Sequence, residues 1–354
     1  MKIFLVFIIG MTLALSLPNA DTFSEKMEVQ NAQSMFERAF SFYCSNETDE
    51  MIEAYNELID KFAHSRNKEI KNITAQAMLN LALAYESAND TKAEQVALER
   101  IISNFIDSNE SAIEAITAKA LLKKAFIAAN ANDTKAEIET SERFIARFEN
   151  RSDEDIQAAL AGIMTLLGYK YTQANESRKA VDIGNKYIEK FGNSQNEYMQ
   201  FQLFSNLMII SVNYMHSGEI KSALAAYQKA IDKFKNSENP NIIQELGTIV
   251  ANKIEAEICN DIKPSFSDEN RKIADKSEYG AFMYEFLQIL YAARNESQSD
   301  KIKAFKEKYA DFELKQKIGS FDFTDMDRWQ NSLKNPAKER VKECIDALKE
   351  FMER

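Results

Sequence analysis

Turn formers are scarce in this chain: nine glycines and four prolines are spread over 354 residues, well below the roughly 12% of an average chain. That scarcity excludes sandwiches, barrels and glycine-rich phosphate loops, all of which need many tight turns. Long helices remain. Histidine is almost absent, with only His64 and His216, and no nucleophile, base and orienting acid can be assembled around either. The three cysteines, Cys44, Cys259 and Cys344, are odd in number and widely spaced. They indicate neither a disulfide framework nor a metal ligand set. Basic charge is in deficit as well, since 44 Lys+Arg face 55 Asp+Glu for a net charge of −11. Neutralising phosphates is the main source of nucleic-acid affinity, so a nucleic-acid partner is not expected.

The longest hydrophobic run is at the start. MKIFLVFIIGMTLALSLPNA has one lysine, an apolar stretch from Ile3 to Leu15 and then small residues, the layout of a secretory signal. The expected signal peptide is 1–16, with a cut after residue 20 as the alternative. A membrane anchor is the competing reading, but the run is shorter than the roughly 20 apolar residues that span a bilayer. No later stretch is apolar enough to cross a membrane, so the expected location is periplasmic or secreted.

The chain repeats itself. Ala-Asn-Asp-Thr-Lys-Ala-Glu occurs at 88–94 and again at 131–137, a step of 43 that continues to Ala174-Asn175-Glu176-Ser177 and Ser217-Gly218-Glu219, and back to Ser45-Asn46-Glu47-Thr48. Sixteen positions on stand Phe62, Phe105, Phe148, Phe191 and Phe234, and three before each stand Ile59, Ile102, Ile145, Ile188 and Ile231. With only 23 phenylalanines in the chain, five in phase are a signature of internal repetition.

Each window reads as two helices. Met78, Leu79, Leu81, Ala82 and Tyr85 make one apolar stripe over 75–88, and Val96, Leu98, Ile101, Ile102 and Phe105 another over 92–105. The Asn between them, Gly in the fifth copy, suits a left-handed residue just past a helix end. Ser152-Asp153-Glu154-Asp155 and Pro240 read as helix starts.

These windows resemble tetratricopeptide repeats, in the bacterial variety with a period near 43 and an extended first helix. The small residue where two helices cross closely is matched by Ala39, Ala82, Ala125, Gly168 and Ser211. The aromatic three further on is matched by Phe42, Tyr85, Tyr171 and Tyr214, with Ala128 departing. The second-helix small residue falls in phase at Ala180 and Ala223, whereas Ala93 and Ala136 stand one place early, as though the first three turns were one residue tighter. The resemblance spans 22–260, including a sixth first helix near 243–260. It implies an all-α, right-handed α-solenoid of tetratricopeptide-like helix pairs with a helical C-terminal cap over 261–354. In that cap, 277–294, 298–311 and 325–353 read as helices after a polar interruption from Ser265 to Lys276.

The resemblance also implies a role: a scaffold or adaptor, not an enzyme, without cofactor or metal, holding a protein or peptide segment in the concave groove of the first helices. Carrying over the family's contact positions gives Phe36, Phe40, Tyr43, Leu79, Leu83, Leu122, Phe126, Tyr169, Met208, Val212 and Met215. That set is strongly apolar. An exposed patch of this kind exceeds what a monomer normally shows, so either a partner covers it or the chain's own C-terminal helices fill it in a self-assembling structural protein. A glycan-binding module or enzyme hidden in 261–354 is a third reading. Asp322, Asp325 and Asp327 lack the glycine and glutamate of a calcium loop and read as part of a helix start that buries Trp329.

Eight Asn-x-Ser/Thr triplets occur, at Asn46, Asn72, Asn89, Asn109, Asn132, Asn150, Asn175 and Asn295. Turn geometry accounts for four of them. Asn109 differs, because Asp107-Ser-Asn-Glu-Ser resembles the extended acceptor motif of bacterial N-glycosylation.

Overall fold

The computed structural model describes residues 23–45, 47–310 and 324–352. Every regular element among them is a helix, and no helix among them is long and apolar enough to cross a membrane. The expected signal segment and Asp322 lie outside the described residues. The chain divides into two compact units, up to Asp133 and from Thr134.

The first unit holds α1 (Phe23–Ser45), α2 (Thr48–Phe62), α3 (Lys68–Ser87), α4 (Thr91–Phe105) and α5 (Ser111–Asn130). The second opens with α6 (Thr134–Phe148), α7 (Glu154–Gln173), α8 (Ser177–Phe191), α9 (Glu197–His216), α10 (Ile220–Phe234) and α11 (Pro240–Cys259). In each unit, consecutive helices pack side by side. First helices from α3 onward have 20 residues and second helices 15, so the first helix starts earlier than its apolar stripe alone predicts.

The turns show why asparagine recurs. Asn89, Asn132 and Asn175 have φ of 57°, 54° and 58°, and Gly218 has 73°. This left-handed conformation disfavours a Cβ, but Asn tolerates it better than most residues. The amide after each of the four reaches back to a helix carbonyl, as Asp90 N does to Tyr85 O at 2.9 Å, which satisfies otherwise orphaned acceptors. The phase continues once more than expected: Asp261 is also left-handed, at φ 56°, closing α11 in the same way.

Between units of the repeat a second device recurs. Ser65, Ser108, Ser194 and Ser237 each accept, through the hydroxyl, the amide two residues on. Asn67, Asp153, Asn196 and Asn239 then cap the following first helix by accepting its free amides, so Asp153, not Ser152, is the N-cap of α7.

The core follows the repeat phases. Ala39, Ala82 and Ser211 are wholly buried at the helix crossings and Ala125 nearly so, and a Cβ on Gly168 would come within 3.1 Å of Ile209. One expectation is overturned. The first turns are not tighter than the later ones, because α4, α6, α8 and α10 all begin at the same phase. Instead, the buried position filled by Ala180 and Ala223 is occupied by glutamates, Glu94 and Glu137. Each is tolerated because a lysine meets it: Lys123 Nζ lies 3.3 Å from Glu94 and Lys170 Nζ 3.0 Å from Glu137. Burial holds the Glu94 carboxyl above its ordinary pKa, with Lys123 opposing.

Beyond α11 come α12 (Asp268–Ala274), α13 (Glu278–Ala292), α14 (Ser299–Lys308), α15 (Thr324–Ser332) and α16 (Ala337–Met352). The segment expected as a polar interruption therefore contains a short helix, capped by the Ser267 hydroxyl. The single helix expected over 325–353 is broken near Pro336, whose ring removes a donor from the ladder.

Helices α12, α13 and α15 pack on α11, and α14 and α16 on α13. Gly247 on α11 meets Gly280 on α13 so closely that a Cβ on Gly247 would stand 3.1 Å from the Gly280 Cα. Lys253 and Glu257, both buried, bond to each other at 2.7 Å and to Ser265, fixing the chain after α11. Asp261 accepts from the Trp329 indole at 3.4 Å, and Arg340 donates to the carbonyls of Ala293 and Arg294, closing α13.

Candidate functional site

One register position of the first helices stands out. Phe40, Leu83, Phe126, Tyr169 and Val212 follow one another at the 43-residue step. Large apolar side chains at the neighbouring stripe positions, such as Leu81, Leu121, Leu167 and Ile210, are buried, yet this row faces solvent: Phe40 is 41% exposed, Leu83 39%, Phe126 63% and Tyr169 46%. Val212 is half-buried. A 20-residue helix can bury only the sides that meet neighbours; this position is the one turned away from them.

In the first unit, Phe40 stacks on Tyr43 with ring centroids 5.9 Å apart, and Phe36 meets Tyr55 edge-on at 5.8 Å. Tyr43 is exposed, whereas Phe36 and Leu122 are half-buried and support the row from one turn below. Leu79 corrects the sequence reading: it was expected on the open face, and at 5% exposure it is core. Its helix α3 is flanked by α1 and α5. The first unit thus exposes Phe40, Tyr43, Leu83 and Phe126, leaves Phe36 and Leu122 half-buried, and buries Leu79.

In the second unit, Tyr169 is open while Met208, Val212 and Met215 are half-buried. The support here is polar, which the sequence reading missed. Asn206 Nδ2 donates to Thr165 Oγ1 at 2.7 Å, and Asn213 Nδ2 donates to Thr172 Oγ1 at 2.6 Å. Both amides also donate to carbonyls of their own helix. Thr165 and Thr172 occupy contact phases that are apolar in most other copies. The signal was present, since Thr165 and Thr172 on α7, and Asn206 and Asn213 on α9, each recur at a spacing of seven that keeps both on one helix face.

Other chemistry-bearing groups do not converge. His64 and His216 are exposed on different elements. Burial pushes the Cys344 thiol up to about 12 and the Cys259 thiol higher still, so both stay protonated and unreactive at neutral pH. No group of three His, Cys, Asp or Glu among the described residues could hold a metal ion. Asp325 pairs with Arg328 and Asp327 with Lys349, while Trp329 is buried. A cleft of about 410 Å³ lies beside α6, α7 and α8, lined by Glu142, Tyr171 and Lys179 among others. The Tyr171 hydroxyl donates to Glu142 there, and burial together with that carboxylate raises its pKa.

Residues 76–108, from within α3 into the linker after α4, match the tetratricopeptide repeat family model. No curated protein sequence matches the chain. Among solved structures, the apo form of RapI aligns over 90% of this chain and 99% of its own, with 13% identity and a TM-score of 0.41. A tetratricopeptide repeat protein from Parabacteroides merdae aligns over 90% and 98%, with 10% identity and a TM-score of 0.40. Both are distant similarities, and neither bears on a site or a partner.

Proposed function

Because residues 76–108 match the tetratricopeptide repeat family model, we propose that the chain is an exported protein-binding scaffold that holds a partner segment against the first-helix row of the first unit, Phe40, Leu83 and Phe126. The observation that carries this reading is the row itself: a large apolar side chain recurs at one exposed position in copy after copy, where a non-binding surface has every freedom to be polar. A partner covering it removes that apolar area from water at about 25 cal/mol per Å². An extended or amphipathic segment with apolar anchors fits such a row. Catalysis has no place in this reading, and neither does a cofactor. Export rests on the N-terminal leader-like sequence, and a periplasmic or extracellular setting follows from it.

The test compares the chain with a Leu83→Glu/Phe126→Glu double variant in affinity capture from envelope extract. Both side chains are exposed, so circular dichroism of the variant should match the parent. Retention of a protein by the parent and its loss with the variant is the expected result. Capture of the same proteins by both would remove the row as the contact surface, and a misfolded variant would mean that these positions are core.

A further inference from the structure

The fold sorts seven of the eight Asn-x-Ser/Thr triplets into different classes, Asn46 lying outside the described residues. Asn89, Asn132 and Asn175 are held by backbone geometry, in the left-handed turn position that Gly218 also fills. Their hydroxyl partners Thr91, Thr134 and Ser177 are the first residues of the next helix. Asn72 lies inside α3 with its Oδ1 buried. Asn150 and Asn295 are exposed but follow Phe148 and Ala293 at the −2 position.

Asn109 belongs to none of these classes. It lies in the linker between α4 and α5, where the equivalent residues at the 43-residue step are Arg66, Ser152, Gln195 and Glu238. The linker therefore has no need of asparagine for its geometry. Asn109, Asp107 and Ser111 are all exposed, and Glu110 is extended, at φ −82° and ψ 118°.

A second observation is independent of the motif. The other linkers end in a side-chain N-cap, Asn67, Asp153, Asn196 or Asn239. Glu110 stands at that position in this one and makes no cap hydrogen bond. An N-cap stabilises a helix start by about 1 kcal/mol, so the first turn of α5, which carries Ser111, opens more readily than its counterparts. A transferase must hold Asn, the next residue and the hydroxyl residue together in an extended strand, and this opening is what it requires.

We infer that Asn109 is an N-glycosylation site, modified on the folded chain from a lipid-diphosphate-linked oligosaccharide by a transferase that reads Asp107 at −2. In the transfer, the Asn109 amide nitrogen forms a bond to the anomeric carbon as the bond from that carbon to the lipid diphosphate breaks. The lipid diphosphate leaves with the electron pair, and the amide loses one proton. The inference is independent of the first-helix row.

The test uses the full chain from a host without glycosylation, incubated with such a transferase and its lipid-linked oligosaccharide, and read by intact mass and glycopeptide sequencing. One glycan at Asn109 is expected, absent in Asn109→Gln and in Asp107→Ala. Glu110→Asp keeps the triplet but supplies the missing cap, so it should slow modification of the folded chain about fivefold and leave a peptide of residues 103–113 unaffected. No modification of the folded chain, a glycan placed first on another asparagine, or an unchanged rate in folded Glu110→Asp would each overturn the inference.

Discussion

Lys170→Met should damage the second unit more than a surface change has reason to. The Glu137 side chain is wholly buried, and the Lys170 ammonium stands 3.0 Å from it. Removing one partner of a buried pair leaves an uncompensated charge and costs about 3–5 kcal/mol. With a urea dependence of about 2–3 kcal/mol per molar, the unfolding midpoint should fall by roughly 1–2 M. The companion variant is Glu137→Ala/Lys170→Met. Alanine already fills the same phase at Ala180 and Ala223, both fully buried, so the double variant should return to within about 1 kcal/mol of the parent. Helical circular dichroism gives the midpoint. The single tryptophan, Trp329, buried in the same unit, gives a second probe of whether the transition is cooperative, which repeat arrays do not guarantee. An unchanged midpoint for the single variant, or a double variant as weak as the single, would refute the argument that charge pairing is what admits glutamate there.

Ala82→Phe should cost on the order of 1–3 kcal/mol by overpacking a wholly buried crossing, and a neutral result in thermal unfolding would show that the crossing lies elsewhere. At Asn175, with φ 58°, glycine should be tolerated and alanine should cost about 1–2 kcal/mol, a contrast that disappears if the turn is not left-handed in solution. Glu94 has a raised folded pKa caused by burial, so the stability it contributes is present below its unfolded pKa and is lost as pH rises through the folded value. The stability of Glu94→Gln relative to the parent should therefore rise between pH 4 and pH 7; a fall would mean that the Lys123 pair outweighs burial.

The repeat was legible because its constraints are local and recur at a fixed step. A left-handed residue selects Asn or Gly whatever surrounds it, and a close helix crossing selects Ala, Gly or Ser. Four of the five turn positions and the small-residue crossings lie where the sequence put them, the fifth turn residue, Asn46, being outside the described residues. What escaped depends on partners that do not repeat. Lys123 and Lys170 belong to different phases, so no periodic search pairs them with Glu94 and Glu137. Leu79 has the same spacing as Phe36 and Leu122 but is buried, on a helix that has α1 on one side and α5 on the other. The Asn–Thr bonds between α7 and α9 join residues some forty positions apart, and their spacing is visible only once α7 and α9 are known to be neighbours. Asp261 could have been found by one more step of 43, but aspartate does not advertise a left-handed turn as Asn and Gly do.

Each device in the array closes within one period: the left-handed turn, the serine linker and the helix crossing are all specified inside 43 residues. Gain or loss of a complete window therefore leaves every type of junction intact, whereas any other length change puts a turn residue in a helix or a cap in a turn. Lengths compatible with this fold come in steps. Each step adds or removes one side chain at the exposed register position, so the number of such side chains changes in whole increments, set by the number of windows and independent of the side chain each one carries.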